Sequence, residues 1–405
     1  MKRCVHELLI VLACLFVLHG CATYRIQEVG HTSILQAKEE IPEEELLDVG
    51  ITVFGTREIT EEKAKDEGTH PDVRKAECHF IPYHLKNTLQ QSSHWGAVRV
   101  IPGESPNVDL LVRGEVLESN GRRLIVGVEV IDAAGHTWLR RAYEEEATLN
   151  FYTDNVPGEK DAFQDLYNAI ANDLAAHKKS LSLEEIRKIR TITKLKFAQD
   201  FASDAFDGYL IKDKKERITL NRLPADGDPM MERLLQIRDR DHMYVDTLNE
   251  YYDGFYNRMW PSYEEWRKAN LTEQIAIGKI KRQAYVRQAS GALMMALALA
   301  LALGNVDNTS AIQEGLILGG GAILMNGINI SKQAEIHSMA IQELSESFGN
   351  EMKPVVMEFQ GKKYELTGSA EEQYKHWREL LRKIYYEETG FVQPEEQREN
   401  PPGGG

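Results

Sequence analysis

Cysteine is scarce in this chain. It has 4 cysteines in 405 residues, and Cys4, Cys14 and Cys21 all lie close to the start, which leaves Cys78 alone in the remainder. One thiol cannot close an intramolecular disulfide and does not make a zinc-ligand set, so Cys78 reads as a small buried residue. Positive charge is also short. Lys and Arg number 48 against 63 Asp and Glu, a formal net charge of -15. A chain this acidic is repelled by polyanions, so no nucleic-acid partner is expected. Apolar runs long enough to span a bilayer are missing; Leu8 to Leu18 is unbroken but falls well short of the roughly 20 residues required.

Catalytic and ligand-binding motifs are missing too. There is no Gly-x-x-x-x-Gly-Lys phosphate loop, no Gly-x-Ser-x-Gly elbow and no His-Glu-x-x-His. Cys78, His79, His84 and His94 are the densest ligand types, but the His79 to His84 spacing does not share a helix face. Asp239-Arg240-Asp241-His242 lacks the glycine of a calcium loop and interrupts a helical stripe. No catalytic, cofactor or metal residues are therefore assigned, and the chain is expected not to be an enzyme.

What is present begins with the leader. Lys2 and Arg3 precede the apolar Leu8–Leu18 stretch, which ends in Leu18-His19-Gly20-Cys21. A basic start, a short apolar run and a small-residue site are the parts of a secretory signal. The last four residues resemble the bacterial lipobox. That resemblance implies cleavage before Cys21, lipid (palmitate among it) on Cys21, and, with Ala22 rather than Asp next, the periplasmic face of the outer membrane. Residues 1–20 are then the signal peptide. Residues 21–47, ending in Glu39-Glu40-Ile41-Pro42-Glu43-Glu44-Glu45, read as a solvated acidic tether.

Residues 48–180 read as a small α/β domain. Val49 to Phe54 is a buried strand, and Glu61 to Asp72 is a charged loop. Pro82 is expected to open a helix that ends at Gly96, followed by a strand over Ala97 to Ile101. Leu110 to Leu117, Leu124 to Ile131 and Thr137 to Tyr143 form a meander, with Leu124, Val126, Val128 and Val130 alternating onto one face. A helix over Asp161 to His177 closes the unit. This order, with Trp95-Gly96-Ala97-Val98-Arg99-Val100 and Asp109-Leu110-Leu111-Val112-Arg113-Gly114-Glu115-Val116, resembles the small domain of TolB amino-terminal regions. The curli-secretion lipoprotein CsgG and lipoprotein activators of penicillin-binding proteins share it. The resemblance implies binding to other envelope proteins rather than catalysis.

The remainder reads as mainly helical, which gives an α+β fold class. Residues 181–261 form a helical region, with a charged loop over Asp213 to Asp228 and a helix from Pro229 stopped by Pro261. Residues 262–349 form a long antiparallel helical hairpin, its arms opened by Ser262-Tyr263-Glu264-Glu265 and Ser310-Ala311-Ile312-Gln313. Residues 350–391 form a β-hairpin and a helix capped by Thr367 or Ser369, and residues 392–405 a disordered tail. The hairpin tip carries no charge over Ala289 to Gly304 or Gly315 to Met325. Ala292, Ala296, Ala300 and Gly304 recur at spacing four on one arm, as do Gly315 and Gly319 on the other, resembling the glycine zippers of membrane helices. Three readings stay open: a buried hairpin, a tip inserted in the membrane, and a contact between copies in a homo-oligomer. The function expected is that of a non-enzymatic binding or scaffold module held at the membrane through Cys21. The alternatives are an oligomeric component of a secretion or transport assembly, and a cell-wall hydrolase.

Overall fold

A computed structural model of the protein describes residues 24–56, 69–153, 160–302, 335–347, 354–359 and 362–390. Its centre is a mixed sheet. Strands β1 (Ile26–Glu28), β2 (Val49–Thr52), β4 (Val98–Ile101), β5 (Leu110–Ser119), β6 (Arg123–Asp132) and β7 (Thr137–Glu146) lie in the order β1-β7-β6-β5-β2-β4, and the short β3 (Gly55–Thr56) pairs with β5. β5, β6 and β7 form an antiparallel meander; β2 runs parallel to both β4 and β5, and β1 parallel to β7. Alternation in the sequence sets the two faces. Leu124, Val126, Val128 and Val130 are fully buried, and their partners Val112, Val116 and Tyr143 share that face. Helices α1 (Pro71–Gln91) and α3 (Gln164–Ser180) cover it, the latter tied down by Tyr143 and Arg141, which both donate to Asp173 at 2.6 and 2.7 Å. With the short α2 (Leu149–Thr153), α4 (Leu183–Phe201), the long α5 (Pro229–Ala302), a helix α6 over 335–347 and α7 (Ala370–Thr389), the fold class is α+β, as the sequence indicates.

Helix α1 departs from the expectation. It begins at Pro71, where a missing N–H costs nothing, and Pro82 lies inside it. A proline there leaves the carbonyl four residues earlier, that of Cys78, without its helical donor. The backbone N–H of Phe54 supplies one at 2.9 Å. The chain leaving β2 thus satisfies the helix group that Pro82 orphans.

The acidic tether is also corrected for residues 24–47. β1 is hydrogen-bonded along β7, with Ile26 opposite Ala142. Leu35 N–H donates to Asn172 Oδ1 at 2.8 Å, and Ala37 N–H to the Ser92 carbonyl at 2.9 Å. Glu43–Glu45 form a 3-10 turn. A three-residue edge strand is too short to show a period in the sequence, whereas the surrounding glutamates are conspicuous.

Further on, Asp213 to Asp228 is not wholly a loop. β8 (Leu210–Lys212) and β9 (Ile218–Leu220) pair as a small hairpin around the Asp213 turn. Pro261 does not stop its helix, and α5 runs through it. Met259, Tyr263 and Trp266 are buried on both sides of the proline, so tertiary packing carries the helix across a residue that propensity alone would make its end. Ser262 is consequently inside a helix rather than at a cap. Ser369, by contrast, caps α7 in a reciprocal box with Glu372, after the expected hairpin of β10 (Val355–Phe359) and β11 (Lys362–Leu366).

Polar contacts fix α5 against the β4 edge and its neighbours. Asn249 places its amide along the β4 edge, accepting from Val100 N–H at 2.8 Å and donating to the Val100 carbonyl at 2.9 Å, as a neighbouring strand would. Asp241, fully buried, accepts from Asn107 at 3.0 Å and from Arg378 of α7 at 3.2 Å.

Candidate functional site

A cleft of about 1040 Å³ opens where the chain after β1, the end of β7 and helices α1, α3 and α5 converge. Its floor is polar. His84 of α1 meets Tyr256 Oη through Nδ1 at 2.7 Å and Gln164 Oε1 through Nε2 at 2.9 Å. With the amide oxygen as acceptor, Nε2 carries the proton and Nδ1 accepts from the tyrosine. Burial lowers the pKa of His84, which agrees with this neutral form. Gln164 donates on to Thr88 and Asn168, and Asn168 to the Thr32 carbonyl at 2.8 Å. This chain of amides holds the segment after β1 onto α3. Tyr256 and Trp260, ring centroids 5.5 Å apart, offer the main aromatic surface.

Beneath the cleft lies a buried ion pair. Arg267 Nη1 donates to Asp161 Oδ2 at 2.6 Å, with side-chain exposures of 4% and 0%. Burial opposes the charge on Asp161, but the Arg267 guanidinium outweighs it and holds the carboxyl below its usual range. Arg267 also donates to Tyr263 Oη at 2.7 Å and lies over that ring at 3.8 Å. Tyr263 and Ser119 both donate to Glu77 Oε1 at 2.5 Å, and burial raises the Glu77 pKa. α1, α5, the end of β5 and the segment leading into α3 are therefore bound through one polar cluster.

Glu145 stands in the cleft wall at the end of β7. Its Oε2 accepts from Leu166 N–H in the first turn of α3 at 2.7 Å. Burial above all, with the nearby Asp165 and Asp161 charges, pushes its pKa up to about 8. Glu145 thus keeps a proton at neutral pH that the unfolded chain has lost. The folded form binds more protons between the ordinary carboxylate range and pH 8, so stability falls as pH rises through that window. Glu145→Gln is expected to flatten this slope: between pH 5 and 8 the variant should lose less melting temperature than wild type. Parallel slopes would remove Glu145 as the cause.

The lining suits binding. Asn87, Gln91 and Asn257 present amides beside the Tyr256 and Trp260 rings, and Lys160 is the one cation among the described lining residues against Glu145, Glu146, Asp161 and Asp165. Among the described residues no group of three or more His, Cys, Asp or Glu could hold a metal, and no helix is long and apolar enough to cross a membrane.

Of the residues singled out from the sequence, His84 lies in the cleft, as a hydrogen-bonded neutral ring and not as a metal ligand, and the lipid-attachment and hairpin-tip residues lie elsewhere. Cys21, Gly304, Gly315 and Gly319 fall outside the described residues. Ala292, Ala296 and Ala300 lie on helical backbone at the end of α5, and the expected antiparallel pairing of the tip falls outside the described residues. Sequence reading missed the cleft because His84, Glu145, Asp161 and Arg267 come from four separate elements. Only Arg267, a charge inside the apolar stripe of α5, carried a local signal.

No family model matches this chain, and no curated protein matches it. Among solved structures it is similar to a PelC dodecamer from Paraburkholderia phytofirmans, at 16% identity over 36% of this chain and 95% of that one. The TM-score is 0.20, and a likeness at that level carries no argument.

Proposed function

We propose that this chain is a lipid-anchored, non-enzymatic protein of the bacterial outer membrane, in which the α/β unit binds another envelope component and the helices serve as scaffold. The observation that carries the binding reading is the commitment of the cleft's polar groups to one another. His84 uses both ring nitrogens, Asp161 is neutralised by Arg267, and Glu145 is held by the first turn of α3. Groups fixed this way maintain a shape; a nucleophile and its base need free lone pairs facing a substrate. The resemblance to TolB amino-terminal regions and the lipobox supply the setting.

Anchoring is tested by Cys21→Ser. The variant should accumulate as unprocessed precursor and lose lipid labelling. Normal maturation with undiminished membrane retention would count against the anchor. A second reading, a cell-wall hydrolase, is favoured by one feature: Glu145 has the protonation of a general acid at neutral pH and shares the cleft with Asp161 and Asp165. Release of soluble fragments from purified cell wall by wild type, abolished in Glu145→Gln, would establish that reading and remove the first.

A further inference from the structure

The face of the sheet opposite α1 and α3 has a distinct chemistry. Register puts Ile26, Ala142, Gly127 and Glu115 in one row across β1, β7, β6 and β5, and Arg140, Glu129 and Arg113 in the next. Ion pairs lace it: Arg113 with Glu104 at 2.7 Å and Glu129 at 3.4 Å, Arg123 with Glu144 at 2.5 Å and Glu118 at 3.4 Å, and Arg140 with Glu129 at 3.8 Å. The arginines are roughly a third to a half exposed. Tyr24 crosses this face. A Cβ on Gly127 would come within 2.8 Å of the Tyr24 ring, so the ring lies directly on the middle of β6. Ile125 and Ala142, on the same face, are buried.

This placement constrains the anchor. Two residues, Ala22 and Thr23, lie between Cys21 and Tyr24, and the three Cα-to-Cα steps of a fully extended chain reach at most about 11 Å. A lipid on Cys21 therefore has to enter its bilayer within that distance of the point where Tyr24 sits on the sheet. The helical faces lie a sheet and a helix layer further away.

We infer that this sheet face is the membrane-apposed surface of the protein and lies against zwitterionic phospholipid headgroups. The inference rests on the proposed acylation of Cys21. The short span from Tyr24 selects the face. Its chemistry fits the occupant: alternating, mutually paired charges complement headgroups that carry both signs, and a strongly anionic surface would meet the glutamates as well as the arginines. Ile26, 52% exposed beside the anchor, adds an apolar contact at the same edge. The cleft, on the helical side, then opens away from the bilayer.

Labelled cysteines test the orientation, because buried Cys78, its thiol pushed up to about 12 by burial, does not compete for the label. Arg140→Cys reports this sheet face, and Lys179→Cys, exposed at the end of α3, reports the helical side. The full acylated protein is placed in vesicles of zwitterionic phosphatidylcholine containing a lipid with a headgroup-attached quencher. Dye on position 140 should be quenched several-fold more strongly than dye on position 179. The contrast should vanish when a flexible Gly-Ser linker of about a dozen residues is inserted between Cys21 and Tyr24. Flotation is read first. Protein that does not float with the vesicles overturns the anchor reading and this inference with it. Protein that floats but shows equal or reversed quenching overturns the orientation alone; a contrast that survives the linker upholds the orientation and overturns the short tether as its cause.

Discussion

Arg267→Ala is expected to cost the full-length, non-acylated Cys21→Ser form about 3–5 kcal/mol of folding stability, because it leaves Asp161 charged and fully buried without its partner. The loss extends beyond one pair. Arg267 also donates to Tyr263, which donates in turn to Glu77, so four elements lose a shared fastening. Asp161→Ala should be as damaging, since it strands the guanidinium instead. Replacing both, as Asp161→Leu with Arg267→Met, should recover much of the loss, because the desolvation cost of both charges disappears together. Urea unfolding decides: the midpoint of each single variant should fall at unchanged slope. A single-variant loss below about 1 kcal/mol would show that water reaches the pair and that it does not hold the cluster together.

The second large effect concerns Phe54 and Gly114. Gly114 lies on the helix-covered face of β5, and a Cβ there would sit 2.3 Å from the Phe54 ring. The ring fills the space that the glycine vacates and is itself 3% exposed. Phe54→Ala is expected to cost about 3–5 kcal/mol through the cavity it opens. Gly114→Ala alone should cost about 1–3 kcal/mol, because the ring has to move in a packed core. Gly114 has no positive φ, so nothing else opposes the alanine. In the Phe54→Ala background the same methyl enters the vacated space, and its cost should drop close to zero. A coupling on the order of 1–3 kcal/mol in the double-mutant cycle follows. Strict additivity would mean that the ring does not depend on the glycine.

These residues show where sequence reading works and where it stops. The meander was legible because Val126, Val128 and Val130 repeat at the period of a strand, and the capping of α7 because Ser369 and Glu372 are neighbours in sequence. Prolines misled in both directions. Pro82 and Pro261 each look like a boundary, but each lies inside a helix: the Cys78 carbonyl freed by Pro82 finds the Phe54 N–H, and buried aromatic residues hold α5 together across Pro261. Both compensations come from tertiary contacts, which no local pattern encodes. The cleft escaped for the same reason. Glu145 has an ordinary sequence environment at the end of a strand rich in glutamate, and its proton affinity arises only when α3 and the segment after β1 close over it.

The parallel seam between β1 and β7 also has a consequence in time. A strand near the start of the chain waits for a partner made much later, and closing so long a loop is slow compared with forming the β5–β7 meander, whose strands are neighbours. β1 is therefore expected to be the last strand to join. Until it does, Tyr24 is not yet on Gly127, and any enzyme that acts on the proposed acylation site would meet an accessible peptide. Once β7 is in place, the same seam fixes β1 and the Tyr24 ring against the sheet. Maturation and folding would then be ordered by topology alone, with the lipid attached before the sheet closes behind it.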